Sequence, residues 1–274
     1  MSSPDPQKLC IHTITTKPWT LEKALDRYAA HGIKGISVWQ NAIEQMGPQK
    51  AGELLNSYDM EVVSYVRGGF FPSSSQEKRA EALRHNKQMI EEAAAIGAPL
   101  LVLVCGAEPQ QSLQESRDQI EAGIEQLLPF AREHKVKLGI EPLHPMYADT
   151  RSAINTLKQG NDIAERLADE YVGVVVDVYH LWWEENLQEE ILRAGRNENL
   201  LAYHICDWKY PPEDMLNDRG LMGDGCIPLK KIRSWVAEAG FNGFHEVEVF
   251  SNRYWEMEQE AYLKKIIHTY KTKS

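Results

Sequence analysis

A short apolar run, a turn and a longer stretch of helical periodicity follow one another eight times along the chain. The short runs read as strands because they are continuously apolar or alternate with period 2, and the long ones as helices because apolar positions return every three or four residues. The predicted strands are Leu9–Thr13, Gly35–Trp39, Glu61–Val66, Leu100–Cys105, Lys137–Leu143, Gly173–Val178, Leu201–Cys206 and Phe244–Phe250. Between and after them, helices are predicted over Leu21–His31, Pro48–Tyr58, Gln76–Ile96, Leu113–His134, the region Ser152–Ala168, Leu187–Ala194, Leu229–Ala239 and Glu256–Tyr270. Ser74 with Glu77, and Ser112 with Glu115, have the spacing of capping boxes, in which hydroxyl and carboxylate satisfy orphan amides of a first turn. Gly32, Gly97 and Gly240 fall where helices should stop. Gly160-Asn161-Asp162 is expected to split the fifth helical region, since Gly in mid-helix costs roughly 1 kcal/mol relative to Ala.

Eight strand–helix units with Val-, Ile- and Leu-rich strands fit a parallel sheet covered by helices, and closure makes it a single (β/α)8 TIM barrel spanning 1–274. The length of 274 residues agrees with the ~250 typical of that fold. An open, doubly wound sheet would normally announce itself by a Gly-rich phosphate turn, and neither GxGxxG nor GxxxxGK[ST] occurs. Chemistry is therefore expected at the C-terminal ends of the strands, where barrel enzymes build their sites.

Composition narrows the class. Thirty basic against forty acidic residues leave a formal charge of −10, which opposes a surface that tracks nucleic-acid phosphates. No run of about eighteen apolar residues is available to span a bilayer. The start, MSSPDPQKLC, has neither the basic nor the apolar part of a secretory signal, so a cytoplasmic protein is expected. Cys10, Cys105, Cys206 and Cys226 lie far apart and read as free thiols.

Ionisable residues gather at the ends of four consecutive strands. Gly139-Ile140-Glu141, Val174-Val175-Val176-Asp177, Tyr203-His204 and Glu246-Val247-Glu248 each place a carboxylate or imidazole in an otherwise apolar strand. One acid at a strand end is ordinarily a cap or a solvated group, and one strand histidine is ordinarily a bonded core residue; four in register at one barrel end point to a site. Glu141, Asp177, His204 and Glu248 form an oxygen-rich set suited to one divalent cation of the Mn, Zn, Mg or Co kind. Without a cation the three carboxylates would repel, and one would take up a proton. Glu246 shares the face of Glu248 and is read as a deeper acid behind the ligands. His12, Trp39, Arg67 and Glu108 fall at or just past the ends of strands one to four and are weaker pocket candidates, and His144 would touch substrate or brace a ligand. Trp182-Trp183 would wall a sugar face, meet another subunit or simply pack.

The order Glu141, Asp177-x-x-His180, His204, Arg219, Gly223-Asp224-Gly225, Glu248-Val249-Phe250-Ser251 resembles the xylose-isomerase-like barrel superfamily of sugar and sugar-phosphate isomerases and epimerases, and most of all its branch of ketose 3-epimerases, hydroxypyruvate isomerase and inosose isomerase and dehydratase proteins. The resemblance covers nearly the whole chain. It implies that Glu141, Asp177, His204 and Glu248 ligate the metal, that Glu141 and Glu248 are also the acid/base pair, and that His180 and Arg219 hold substrate oxygens. His144 and Trp39 are taken as further substrate contacts. By analogy with the family a homodimer or homotetramer is expected. The segment between His204 and Arg219, with Trp208, Tyr210, Pro211 and Pro212, is longer than in the simple epimerases and is read as a lid.

The reaction so implied is isomerisation or epimerisation of a sugar or polyol ketone through an enediolate, with β-elimination by the same site, a lyase or dehydratase reaction, as the alternative. An abasic-site endonuclease on this barrel would use three zinc ions and an Asp-x-His where this chain has Asp224-Gly225-Cys226, and a non-catalytic sugar-binding barrel would have no need of an acid/base pair around a cation.

Overall fold

Each apolar run becomes a strand, and each strand lies parallel to the next. The structure, a computed structural model, describes residues 3–274. Its strands are β1 (Leu9–His12), β2 (Gly35–Trp39), β3 (Glu61–Gly69), β4 (Leu100–Val104), β5 (Lys137–Glu141), β6 (Val172–Asp177), β7 (Leu200–Ile205) and β8 (His245–Val247). They close in sequence order, with Cys10 of β1 opposite Glu246 of β8, so among the described residues the sheet has no free edge. Helices α1 (Leu21–Ala30), α2 (Pro48–Ser57), α3 (Gln76–Ala95), α4 (Leu113–His134), α5 (Leu157–Leu167), the single turn α6 (Val178–Leu181), α7 (Leu187–Arg196), α8 (Leu229–Glu238), the turn α9 (Asn252–Trp255) and α10 (Gln259–Lys273) follow the strands. None is long and apolar enough to cross a membrane.

Alternation along the strands sorts side chains between two cores. On β4, Leu101 and Leu103 join the large core under the helices, whereas Leu100 and Val102 meet Val66, Val175 and Ala202 in a small separate cluster. This cluster plugs the barrel beneath its C-terminal mouth. Gly139, two residues before Glu141, belongs to the same layer: a Cβ there would stand 2.8 Å from Val175 Cγ2 and 3.0 Å from Leu100 Cδ1. Gly139→Ala is therefore expected to lower stability by about 1–3 kcal/mol through overpacking. A urea melt checks this, and an unchanged midpoint would show that the layer has slack.

Three sequence expectations are revised. The cap of α3 is Ser75, whose hydroxyl accepts the Lys78 N–H, while the Ser74 N–H donates to Glu108; the helix starts one residue later than the Ser74–Glu77 box requires. The Ser112–Glu115 box does form. Gly160 does not divide its region: α5 runs through it, and a Cβ there would lie 3.1 Å from Val174 Cγ1 and 3.4 Å from Pro142 Cγ, so the glycine lets the helix settle on β5 and β6. The non-helical part of that region is Ser152–Asn155, which docks on the chain after β4 through a bridge between Gly106 and Ser152. Finally, β8 leaves the ladder at Val247, and Glu248–Phe250 run on as irregular chain. Gly32, Gly97 and Gly240 follow helix ends with φ of +72°, +78° and +85°, left-handed positions where a Cβ would be strained.

Candidate active site

Strands β5, β6 and β7 and the chain just past β8 each deliver one polar side chain to the mouth, and each delivery has a local cause. Glu141 and His204 stand two residues past the inward Gly139 and Ala202, on the same face of their strands. Asp177 ends β6 and caps α6, its Oδ1 accepting the Tyr179 N–H at 2.7 Å, which leaves Oδ2 for the mouth. Glu248 lies just beyond β8, with its N–H still bonded to the Ile205 carbonyl.

The four converge. One donor atom from each of Glu141, Asp177, His204 and Glu248 lies within 4.8 Å of the others, and all four residues are buried. His204 Nδ1 approaches Glu141 Oε1 to 2.9 Å, yet neither atom makes a hydrogen bond. Two orphaned buried donor atoms facing one point fit a divalent cation, which would give both a partner. Arg219 bounds the cluster on another side, its Nη1 donating to Glu248 Oε2 at 2.8 Å and to Asp177 Oδ2 at 3.1 Å.

The charges act on one another strongly. Burial pushes the Asp177 carboxyl up to about 7 against the pull of Arg219. Burial also raises Glu248, but His12 and Arg219 outweigh it and hold that carboxyl well below its usual range. For His204, burial disfavours the proton, while the surrounding carboxylates, Glu246 and Glu141 foremost, lift its pKa to about 10.

Glu246 is the deeper acid. Its Oε2 accepts the hydroxyls of Ser37 at 2.5 Å and Ser64 at 2.8 Å and lies 3.2 Å from His12 Nε2 and 3.6 Å from His204 Nε2. At 3.6 Å Glu246 acts on His204 through charge and not through a hydrogen bond, favouring the protonated ring. His12 stands between Glu246 and Glu248, its Nδ1 3.1 Å from Glu248 Oε1 and also reached by the Trp39 indole N–H.

Above the cluster is a cavity of about 140 Å³. Glu141 and Glu248 reach its floor, His180 and Arg219 form one wall, and Trp39 against Phe250, ring centroids 5.1 Å apart, forms another. Tyr147 and Leu216 roof it, and Arg67 and Arg151 also line it. Leu216 belongs to the long segment after β7, which the Tyr147 hydroxyl ties down by donating to the Met215 carbonyl. The segment is anchored at its base, where Asp218 accepts the Glu213 N–H and pairs with Lys209, and where Asp207–Gly220 and Asp218–Ser251 form bridges.

Trp39, His180 and Arg219 thus line the cavity, whereas His144 does not. The His144 ring packs among Trp183 and Trp208 and caps the turn Pro145–Tyr147, and its backbone N–H donates to His180 Nδ1 at 3.2 Å. It braces His180 from behind because the chain turns away from the barrel axis after Leu143. Trp182 and Trp183 lie outside the cavity as well: Trp182 packs on Trp208 and Trp183 donates its indole N–H to the His180 carbonyl. Glu108 serves a turn, accepting the N–H groups of Ser74 and Gln110. Tyr147, Arg151 and Leu216 went unmarked in the sequence because they sit on irregular chain, where no periodicity says which way a side chain points; their place just after strands five and seven was the available signal.

Fold and site together define a (β/α)8 barrel with a cluster of cation-ligand type at its C-terminal mouth. The chain belongs to the xylose isomerase-like TIM barrel family, whose model matches residues 25–272. It is similar to the protein SMc04130 from Sinorhizobium meliloti 1021, with 39% identity, a TM-score of 0.95 and coverage of 98% of this chain and 99% of that one. It is 24% identical over 267 residues to an inosose isomerase of Bacillus velezensis, covering 94% of this chain and 93% of the relative. A crystal structure of the IOLI protein with a bound zinc atom shares the fold, with a TM-score of 0.84, 23% identity and 96% coverage of both chains.

Proposed function

We propose that the protein is a divalent-metal-dependent isomerase or epimerase that moves a proton next to the carbonyl of a sugar or polyol ketone, through an enediolate. The observation that carries this reading is that Glu141 and Glu248 belong to the buried ligand cluster and also reach the cavity floor. The similarity to an inosose isomerase supports it.

In this reading Glu141, Asp177, His204 and Glu248 hold the cation, which when bound polarises the carbonyl and favours negative charge on the enediolate oxygen. Glu141 and Glu248 are the acid/base pair. They come from strands three places apart in the ring of eight, so they approach a bound molecule from different sides. Removal of the proton by one and return by the other inverts a centre; return to the neighbouring carbon isomerises. His180, kept neutral by burial and by Arg219, and Arg219, whose buried Nε–H has no partner, bind substrate oxygens. Trp39 and Phe250 cover the apolar face, and the segment from Trp208 to Asp218 excludes water as a lid. The enzyme is expected to work in the cytoplasm without nucleic acid or membrane partners, as a homodimer or homotetramer.

The test is NMR of the metal-loaded protein with 2-inosose and with ketoses in heavy water. Solvent deuterium at the carbon next to the carbonyl, with the skeleton intact, is the expected result. Loss of water would instead identify a lyase, and no exchange in any probe would refute the proposal.

A further inference from the structure

Two cations of the cavity are left over by the site just described. Arg67 and Arg151 both line it and both are partly buried, yet among the described residues neither guanidinium makes a hydrogen bond or ion pair to the protein. Each lies over aromatic rings instead. The Arg67 guanidinium lies 4.8 Å from the Phe70 ring centroid and 5.9 Å from that of Trp39, and Arg151 lies 5.6 Å from that of Tyr147. A cation–π contact of this kind uses none of the guanidinium's N–H donors. Burial first, and then the charge of Arg151, disfavours the protonated form of Arg67, while Glu141 and Glu248 favour it.

Glu141 and Glu248 act on Arg67 from the cavity floor, but both already belong to the ligand cluster. The carboxylates Glu141, Asp177 and Glu248 would be balanced by a divalent cation together with Arg219, which already bridges two of them. Glu246 is met on its own side by Ser37, Ser64 and His12. A neutral polyol ketone would leave both arginines desolvated and unmatched, a costly state for buried charge. We infer that the substrate carries an oxyanion, a carboxylate or a phosphate ester, held by Arg67 and Arg151 while its carbonyl end lies over Glu141 and Glu248. The guanidinium edge matches either group bidentately.

The inference takes the carbonyl chemistry from the proposed function, but the anion site stands on its own observations. Titration calorimetry on the zinc-loaded protein with D-fructose, 5-keto-D-gluconate and D-fructose 6-phosphate tests it. At least one anion should bind roughly 10–100-fold more tightly than fructose, the range expected of charge-assisted hydrogen bonds, and the preference should weaken with salt. Which of the two binds tighter separates carboxylate from phosphate. Arg67→Gln or Arg151→Gln should cut the preference at least about tenfold, weakening anion binding far more than fructose binding. If one variant fails to fold, as judged by circular dichroism, the other decides. Equal binding of fructose and both anions, no binding of either anion at millimolar concentration, or a preference that survives in the folded variants would overturn the inference. Arginine-dependent anion binding without any deuterium exchange would refute the isomerase reading alone; exchange into neutral ketoses with no anion preference would refute this inference alone.

Discussion

Glu248→Gln should lower turnover by about a thousandfold or more while the chain still folds. The change keeps the shape of the side chain and removes its charge, and that charge has three uses. It accepts from Arg219 Nη1, faces His12 Nδ1 and supplies one corner of the ligand cluster. Loss of a general base alone typically costs 10²–10⁴-fold, and weakened cation binding adds to that. Folding should survive because Gln keeps the shape and an oxygen that can still accept from Arg219, although a lower melting temperature is expected, since His12 and Arg219 favour the charge that is lost. The measurements are kcat, bound metal and thermal melting on the same preparation. A variant that binds metal and turns over normally would remove Glu248 from the acid/base pair. Glu246→Gln is the contrast, since Glu246 reaches the site only through His204 and His12; it should reduce activity by lowering metal occupancy, and excess metal should restore much of it.

Removal of the cation should abolish activity reversibly, and rebinding should release protons. In the cation-free cluster His204 holds a proton up to about 10 and Asp177 up to about 7, and both must shed it to coordinate. Near pH 6 about two protons should therefore leave per cation, and near pH 8 about one. The sign follows: affinity falls as pH falls, roughly a hundredfold per unit below 7 and tenfold per unit between 7 and 10. Saturation at about a hundred times Kd should also raise stability by about 2.7 kcal/mol, lost on treatment with chelator. Calorimetry in buffers of different ionisation enthalpy counts the protons directly, and a pH-independent affinity would contradict the ligand set.

What could be read in advance follows from how regular the backbone is. Strand residues such as Gly139-x-Glu141 and Ala202-x-His204 obey a two-residue alternation, so their face is fixed once the strand is recognised. Asp177 and Glu248 were legible for the same reason, although each sits where its strand ends. His144 lies outside the cavity, where the chain has turned after Leu143 and alternation lapses. Gly160 illustrates a different limit: propensity argued for a break, but contact with Val174 and Pro142, visible only once helix and sheet are stacked, gives the glycine a packing role. Arg151 and Leu216 reach the cavity through segments whose course depends on partners far away in sequence, the bridge to Gly106 and the bond from Tyr147.

The fastening of the long segment after β7 has a consequence for how this barrel can change. Asp207 with Gly220 and Asp218 with Ser251 clamp both of its ends, and the Arg219 N–H is bonded to the Phe250 carbonyl inside that clamp. Residues inserted or exchanged between Tyr210 and Met215, both largely exposed, lengthen or reshape only the tip. Variation and constraint are thereby separated within a dozen residues: the tip is free to drift toward new molecules, or to be grafted by design, while the arginine and the carboxylate–imidazole cluster below keep their positions.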